Sequence, residues 1–394
     1  MFTTERICVI LIKDTKHPER NEIMKKLGLG CMRLPLLNPE NQASFDMEQI
    51  TDMVDTFLKR GFTYFDTAYI YHNYQSENLV KRVLVERHPR DSFLLATKLP
   101  IYKIKEPGDA EQLFNEQLEK TGAGYFDYYL LHSLGEKSYA TAEQFDCFGF
   151  AMRKKKEGKI KKFGFSFHDS AEMLDTILTA HPEVEFVQLQ INYLDWENKS
   201  IQSRLCYEVA RRHGKDVIIM EPVKGGALAN VPPAAEKLFK EHAPSMSVPS
   251  WAIRFAAGLP GVIMVLSGMS NREQLLDNMS YMDDFVPLSE AEQALCFRVA
   301  ELIKQAALVP CTTCRYCTDG CPVSIPIPDY FNLYNDMLQG EVGVTESLQE
   351  KYQTLSAGKG RAADCISCRQ CEQQCPQHID ITGMLQKVSK EFDS

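Results

Sequence analysis

The chain has no apolar run near the ~18 residues that would mark a membrane-crossing helix. The apolar stretch at residues 7–12 is too short for a secretory core, and no small-residue cleavage site follows it. Tracts of Lys and Arg are equally scarce. The longest, Arg153-Lys154-Lys155-Lys156, sits in a helical pattern beside acidic residues and reads as a solvated helix face. With a net charge of −9, the chain carries no stripe able to follow a phosphate backbone. A membrane span is therefore excluded, and nucleic acid is not expected as a partner. The nine histidines contain no H-x-x-x-H pair, so a separate zinc site is not indicated. What remains, with 44% hydrophobic and 25% charged residues, is the composition of an ordinary soluble globular protein.

Cysteine is where the chain is rich, with 13 in all. Eight fall in two runs, Cys311-Thr-Thr-Cys314-Arg-Tyr-Cys317-Thr-Asp-Gly-Cys321-Pro322 and Cys365-Ile-Ser-Cys368-Arg-Gln-Cys371-Glu-Gln-Gln-Cys375-Pro376. Each is C-x2-C-x2-C-x3-C-P, the spacing by which thiolates hold 4Fe–4S clusters in bacterial ferredoxins. Three close sulfurs converge on one cube, and the cysteine before proline is carried to the other. On that reading Cys311, Cys314, Cys317 and Cys375 hold one cluster, and Cys365, Cys368, Cys371 and Cys321 hold the second. Zinc sites usually take two close pairs and stop at four ligands, whereas each run here has a third close cysteine. Disulfide scaffolds belong to short secreted chains. The remaining Cys8, Cys31, Cys147, Cys206 and Cys296 are scattered and odd in number, which suits a reducing cytoplasm.

At 394 residues the chain should divide into one large domain and one small one. Residues 13–22 are charged and aperiodic and contain a proline, and a strand opens abruptly after Met24. Residues 1–23 are thus expected to be a loose extension, with Met24 the native start. From residue 24 to 288 apolar strands alternate with helical periods. Helices are expected at 46–59, 76–87 (capped by Ser76), 110–120, 140–157, 171–180, 201–212, 248–257 and 272–281. About eight β-α units in ~260 residues predict a (β/α)8 TIM barrel, with an open doubly wound sheet as the alternative. Gly28-Leu29-Gly30 lacks the third glycine of a dinucleotide fingerprint and reads as a turn at a strand end. A linker helix is expected at 289–306, with Ser289 as N-cap and Glu292 as its box partner. Residues 307–394 then form the small iron–sulfur domain. Its two runs are separated by 322–364, too long for a compact ferredoxin, so this domain is expected to be mainly helical. A helix is predicted at 327–338 and loops at 340–343 and 356–360.

Functional residues of such a barrel collect at the C-terminal ends of its strands. Those ends read Asp66, Lys98 and His132, each directly after an apolar run, with Tyr71 five residues after Asp66. A buried lysine with a carboxylate neighbour stays protonated, and its charge is expected to lower the pKa of a nearby tyrosine toward that of a general acid. His72 and His168 lie near the expected mouth and read as polar loop residues.

Leu27-Gly28-Leu29-Gly30, Phe65-Asp66-Thr67-Ala68-Tyr69-Ile70-Tyr71, Ala96-Thr97-Lys98, Leu130-Leu131-His132, Gly164-Phe165-Ser166 and Gln188-Leu189-Gln190-Ile191-Asn192-Tyr193 resemble segments of the aldo-keto reductases. With the cysteine runs, residues 24–394 resemble the subgroup that ends in a ferredoxin-type domain. The resemblance implies a catalytic tetrad of Asp66, Tyr71, Lys98 and His132. Tyr71 would protonate a carbonyl oxygen, Lys98 and Asp66 would tune it, and His132 would orient the carbonyl. It also implies that Ser166 and Gln190 hold a nicotinamide carboxamide. Gly225-Gly226 and Ser267-Gly268-Met269-Ser270 would hold the phosphates, and Asn278 the adenine side. The helix opening after Ser270 is a sensible anion site. Three positions depart from the family: Met220 replaces a stacking tyrosine, Phe167 replaces an asparagine, and Gln274 replaces the arginine that clamps the NADP 2′-phosphate, with Arg272 displaced nearby. NADP(H), NAD(H) and a flavin all stay open as cofactors.

Hydride transfer moves two electrons and a 4Fe–4S cluster takes one, so the clusters need their own account. A flavin could split the pair, a redox partner protein could feed electrons inward, or the clusters could only clamp the fold. The leading expectation is a cytoplasmic NAD(P)-linked oxidoreductase of small carbonyls or alcohols with electron transfer through two clusters. A flavin- or partner-fed electron-transfer enzyme and a redox-sensing binding module without turnover are the alternatives.

Overall fold

The computed structural model describes residues 24–39, 41–305, 308–339 and 344–393. The expected extension at 1–23 and the expected loop at 340–343 lie outside the described residues. Eight strands close into a parallel barrel in sequence order. They are β1 (Leu27–Gly30), β2 (Tyr64–Asp66), β3 (Leu94–Leu99), β4 (Phe126–Leu134), β5 (Ile160–Phe167), β6 (Phe186–Gln190), β7 (Asp216–Met220) and β8 (Val262–Ser267), with β1 paired to β8. The doubly wound alternative is thereby excluded.

Side chains alternate across a strand, so every second residue points into the barrel. Tyr64, Ala96, Leu130, Phe186, Ile218 and Met264 fill the interior together. Two residues further along, the same inward face carries Asp66, Lys98, His132, Gln188, Met220 and Leu266. This is why polar groups that follow apolar runs in sequence gather at one end of the barrel. Gly28 and Gly30 lie within β1, not in a turn. A Cβ at Gly28 would come 2.8 Å from Leu266 Cδ2, so this strand carries glycine where the interior is tight.

The surrounding helices follow the apolar periods, with instructive departures. Asp46 caps Met47–Lys59 by accepting from Gln49 N at 3.0 Å. Ser76 is not a cap: its Oγ is buried 2.8 Å from Thr67 Oγ1, and the helix Ser76–Val80 widens at Lys81–Val85. The expected helix over 140–157 is two helices, Glu136–Gln144 and Cys147–Lys156, broken where Asp146 takes φ 51°. A helix at Pro233–His242, begun by Pro at its first position, has no counterpart in the expectations. Glu290–Gln305 bears the expected box: Ser289 N donates to Glu292 Oε2 at 2.8 Å, and Glu292 N to Ser289 Oγ at 3.3 Å. It does more than link, because Leu295, Cys296, Val299 and Ala300 belong to the barrel's own core.

A second core is built from Ile327–Gln339, Glu346–Ser356 and Ile381–Phe392. Tyr352 is its centre, 4.7 Å from the Tyr330 ring and 5.1 Å from the Phe392 ring. The segment is mainly helical as expected; its last two helices carry apolar periods, at Leu348, Tyr352 and Leu355 and at Ile381, Met384, Leu385, Val388 and Phe392, that the expectations passed over.

Candidate active site at the barrel mouth

Lys98 is fully buried, with its ammonium held by Asp66 Oδ2 at 2.6 Å and the Thr67 carbonyl at 2.8 Å. Its Nζ is 3.4 Å from the Tyr71 hydroxyl, and the Tyr71 ring meets the His132 ring edge-on at 6.2 Å. The three residues expected from the strand ends and Tyr71 from the loop after Asp66 are thus brought together. Their electrostatics differ from expectation in one respect. Burial and the Asp66 charge push the Tyr71 phenol well above its ordinary pKa, and Arg33 only partly counters them. Burial is the largest of these effects, so the expected lowering does not prevail. Burial, Lys98 and His168 hold His132 well below the usual histidine range, so it is neutral at neutral pH. The site therefore offers one protonated phenol, one ammonium and one neutral imidazole around a pocket of about 80 Å³. His168 lines this pocket. His72 does not line it; its Nε2 accepts from Leu34 N at 3.3 Å.

A cleft of about 400 Å³ runs from this pocket along the ends of β7 and β8. Gly225, Gly226, Ser267, Ser270 and Asn278 all line it. Asn278 donates to Ser267 Oγ at 2.7 Å and accepts from the Tyr281 hydroxyl at 2.6 Å. Ser270 N donates to Gln274 Oε1 at 2.7 Å, and Arg272 turns away to Asp52 at 2.7 Å. Glu221, Glu273 and Asp277 leave the lining acidic, with Arg33 its single cation. Ser166 lines the small pocket, its Oγ accepting from Ser133 N at 2.7 Å. Gln190 lines neither space. Its amide pairs reciprocally with Gln377 at 2.9 and 3.0 Å and donates to Asp195 at 2.9 Å.

Gln377 follows Cys375-Pro376, so this pair docks the cysteine segment on the barrel. Lys224 Nζ, buried against both Asp195 oxygens at 2.7 Å, also reaches Gln377 Oε1 at 2.8 Å. Arg33 donates to the Thr312 carbonyl at 2.8 Å. Gly225 has φ +65°, and a Cβ there would sit 2.4 Å from Thr312 O. Its glycine thus serves this close approach as well as lining the cleft. Arg33, Glu221, Lys224, Tyr316 and Gln377 were missed in the sequence. The only signal was that the last two abut cysteines.

The eight cysteines of the two runs fall in two cavities. Cys311, Cys314, Cys317 and Cys375 line one cavity beside Ile327 and Phe331. Cys321, Cys365, Cys368 and Cys371 line another beside Val323 and Ile325. None of the eight is in a disulfide, and the sulfurs of Cys311 and Cys321 accept backbone N–H groups, each at 3.5 Å. Four sulfurs per apolar cavity with N–H donors aimed at them fit a sulfur-ligated iron cluster.

Comparison with known proteins agrees with both halves. The model of the Aldo/keto reductase family matches residues 26–301, and that of the 4Fe-4S dicluster domain matches residues 310–379. An uncharacterized oxidoreductase of Bacillus subtilis, YqkF, is 22% identical over 288 residues, covering 65% of this chain and 86% of that protein. Among solved structures, an aldo-keto reductase from Klebsiella pneumoniae in complex with NADPH aligns with a TM-score of 0.55 at 18% identity, over 71% of this chain and 91% of that one. The holo form of AKR11C1 from Bacillus halodurans aligns at 0.54 and 22% identity, over 70% and 91%. No helix among the described residues is long and apolar enough to cross a membrane.

Proposed function

The chain belongs to the aldo/keto reductase family and is an oxidoreductase with a C-terminal iron–sulfur domain, and from that premise we propose that it interconverts small carbonyls and alcohols at the barrel mouth. The observation that carries this reading is the Lys98 ammonium, clamped by Asp66 and Thr67 and 3.4 Å from the Tyr71 hydroxyl. Tyr71 holds the proton that the carbonyl oxygen receives. Its raised pKa keeps that proton on the phenol through neutral pH, and Lys98 is positioned to stabilise the phenolate as it forms. His132, being neutral, can give an N–H to the same oxygen and fix its orientation. The docked cysteine segment contributes Cys314, Tyr316, Pro376 and Gln377 to the lining of the pocket. A bound nicotinamide dinucleotide supplies the hydride, and bound 4Fe–4S clusters exchange single electrons.

The cleft lined by Ser267, Ser270 and Gly226 would hold the dinucleotide phosphates, with Arg33 as the cation between cleft and pocket. Three carboxylates in the lining, with Arg33 its single cation and already paired to Glu221 at 3.4 Å, favour NAD(H) over NADP(H). The two sets of four cysteines support two clusters. Anaerobic turnover of an aldehyde and ketone panel tests the reading, with Tyr71→Phe expected to lower kcat by ~100-fold or more. Full activity in that variant would overturn it. NADH is expected to bind ~10-fold more tightly than NADPH, as for one unpaired charge contact, read by fluorescence titration.

A further inference from the structure

The pocket at the tetrad is not made by the barrel alone. Cys314, Tyr316, Pro376 and Gln377 form part of its lining, so both cysteine runs contribute. Tyr316 is aimed by its neighbours. Arg315 adopts φ 64° and is fixed by two bonds to the Asp329 carboxylate, at 2.7 and 3.1 Å. Thr318 Oγ1 closes the turn on the Arg315 carbonyl at 2.6 Å. The Tyr316 phenol then lies within electrostatic reach of Tyr71, Glu221 and Arg33. The wall is not free to swing, because Thr312 and Gln377 anchor it on either side through Arg33, Gln190 and Lys224. The space left is about 80 Å³, roughly half the ~150 Å³ cavity that takes up benzene.

We propose that Tyr316 is the specificity-determining residue of the carbonyl pocket, closing it from the cysteine side so that it admits small unbranched carbonyls and rejects aromatic ones. The inference rests on the carbonyl-reductase reading and adds the substrate class. It is tested on the full iron-loaded chain by kcat/KM for propanal and benzaldehyde in wild type, Tyr316→Phe and Tyr316→Ala, with iron and sulfide content as the check on folding. Tyr316→Ala is expected to raise the benzaldehyde-to-propanal ratio ~10-fold or more, mainly through KM, and Tyr316→Phe to leave it unchanged. Should the alanine variant lose iron, Tyr316→Leu, which keeps apolar bulk without the ring, is read the same way. An unchanged ratio in an iron-replete variant lacking the ring overturns the proposal. Calorimetric binding of propanamide and benzamide separates it from the reading beneath it. A wild type that turns over no carbonyl, with the ring-free variant still gaining benzamide affinity, would refute the reductase reading and uphold Tyr316 as the wall.

Discussion

Behind Lys98 sits a second buried carboxyl with no part in the proposed chemistry. Glu77 is 1% exposed, and its Oε1 accepts from Thr97 Oγ1 and Gln117 Nε2, both at 2.7 Å, while Oε2 is buried without a hydrogen-bond partner among the described residues. Burial raises its pKa from 4.5 to about 7. Between those values the folded chain keeps a proton that the unfolded chain has released, so stability falls as pH rises through that window. Glu77→Gln keeps both acceptor contacts without the charge. It should flatten the fall by about 1.4 kcal/mol per pH unit, measured as unfolding free energy at stepped pH. Parallel curves for variant and wild type would contradict this. At this scale the sequence was legible where chemistry followed periodicity. Asp66, Lys98 and His132 stand one step past apolar runs whose inward face was readable. The Tyr71 pKa was not, because its direction is set first by burial and then by the Asp66 charge, and the depth of burial is not written in the local sequence.

The β7 loop shows what an element does that its residues alone do not. Glu221, at φ 55°, turns the chain out of the strand, and its carbonyl is held by Asn192 Nδ2 at 3.1 Å. Lys224, Gly225 and Gly226 then carry the loop under Thr312. Gly225→Ala would add about 1–2 kcal/mol of left-handed strain and force Thr312 away. Gly226→Ala, at φ +104° and outside the left-handed helical region, carries at least that strain but, with nothing within 4 Å, no clash. Limited proteolysis is therefore expected to release the cysteine segment faster from Gly225→Ala than from Gly226→Ala. Equal rates would mean that Thr312 does not dock there. Sequence could not foresee this contact, since Arg33 and Thr312 are 279 positions apart and Gln190 and Gln377 are 187 apart. Gln190 was expected at the cofactor only through the family resemblance, and its amide pairs instead with Gln377 from the far end of the chain. The helices Glu346–Ser356 and Ile381–Phe392 were legible from apolar residues at helical spacing but drew no expectation; their apolar faces meet each other and Tyr330.

As a whole the molecule has two cores of unequal independence. The barrel core runs from Leu27 to Ile303 and closes on itself, whereas the smaller core surrounds two sulfur-lined cavities. Ligation by iron is then folding energy for the second core and not the first. Anaerobic protein should contain about eight irons per chain, four for each cube. Chelation should lower a separate early transition in calorimetry while the main barrel transition stays in place. A single transition that shifts as one would count against independent cores. The two cavities also face different surroundings. Cys314 is roofed by the barrel mouth, while Cys368 is exposed beside Ile366, which is 65% exposed. Oxygen reaches the outer cavity first, so protein handled in air should corrode from that end, shedding about half its iron while the half nearest the tetrad persists.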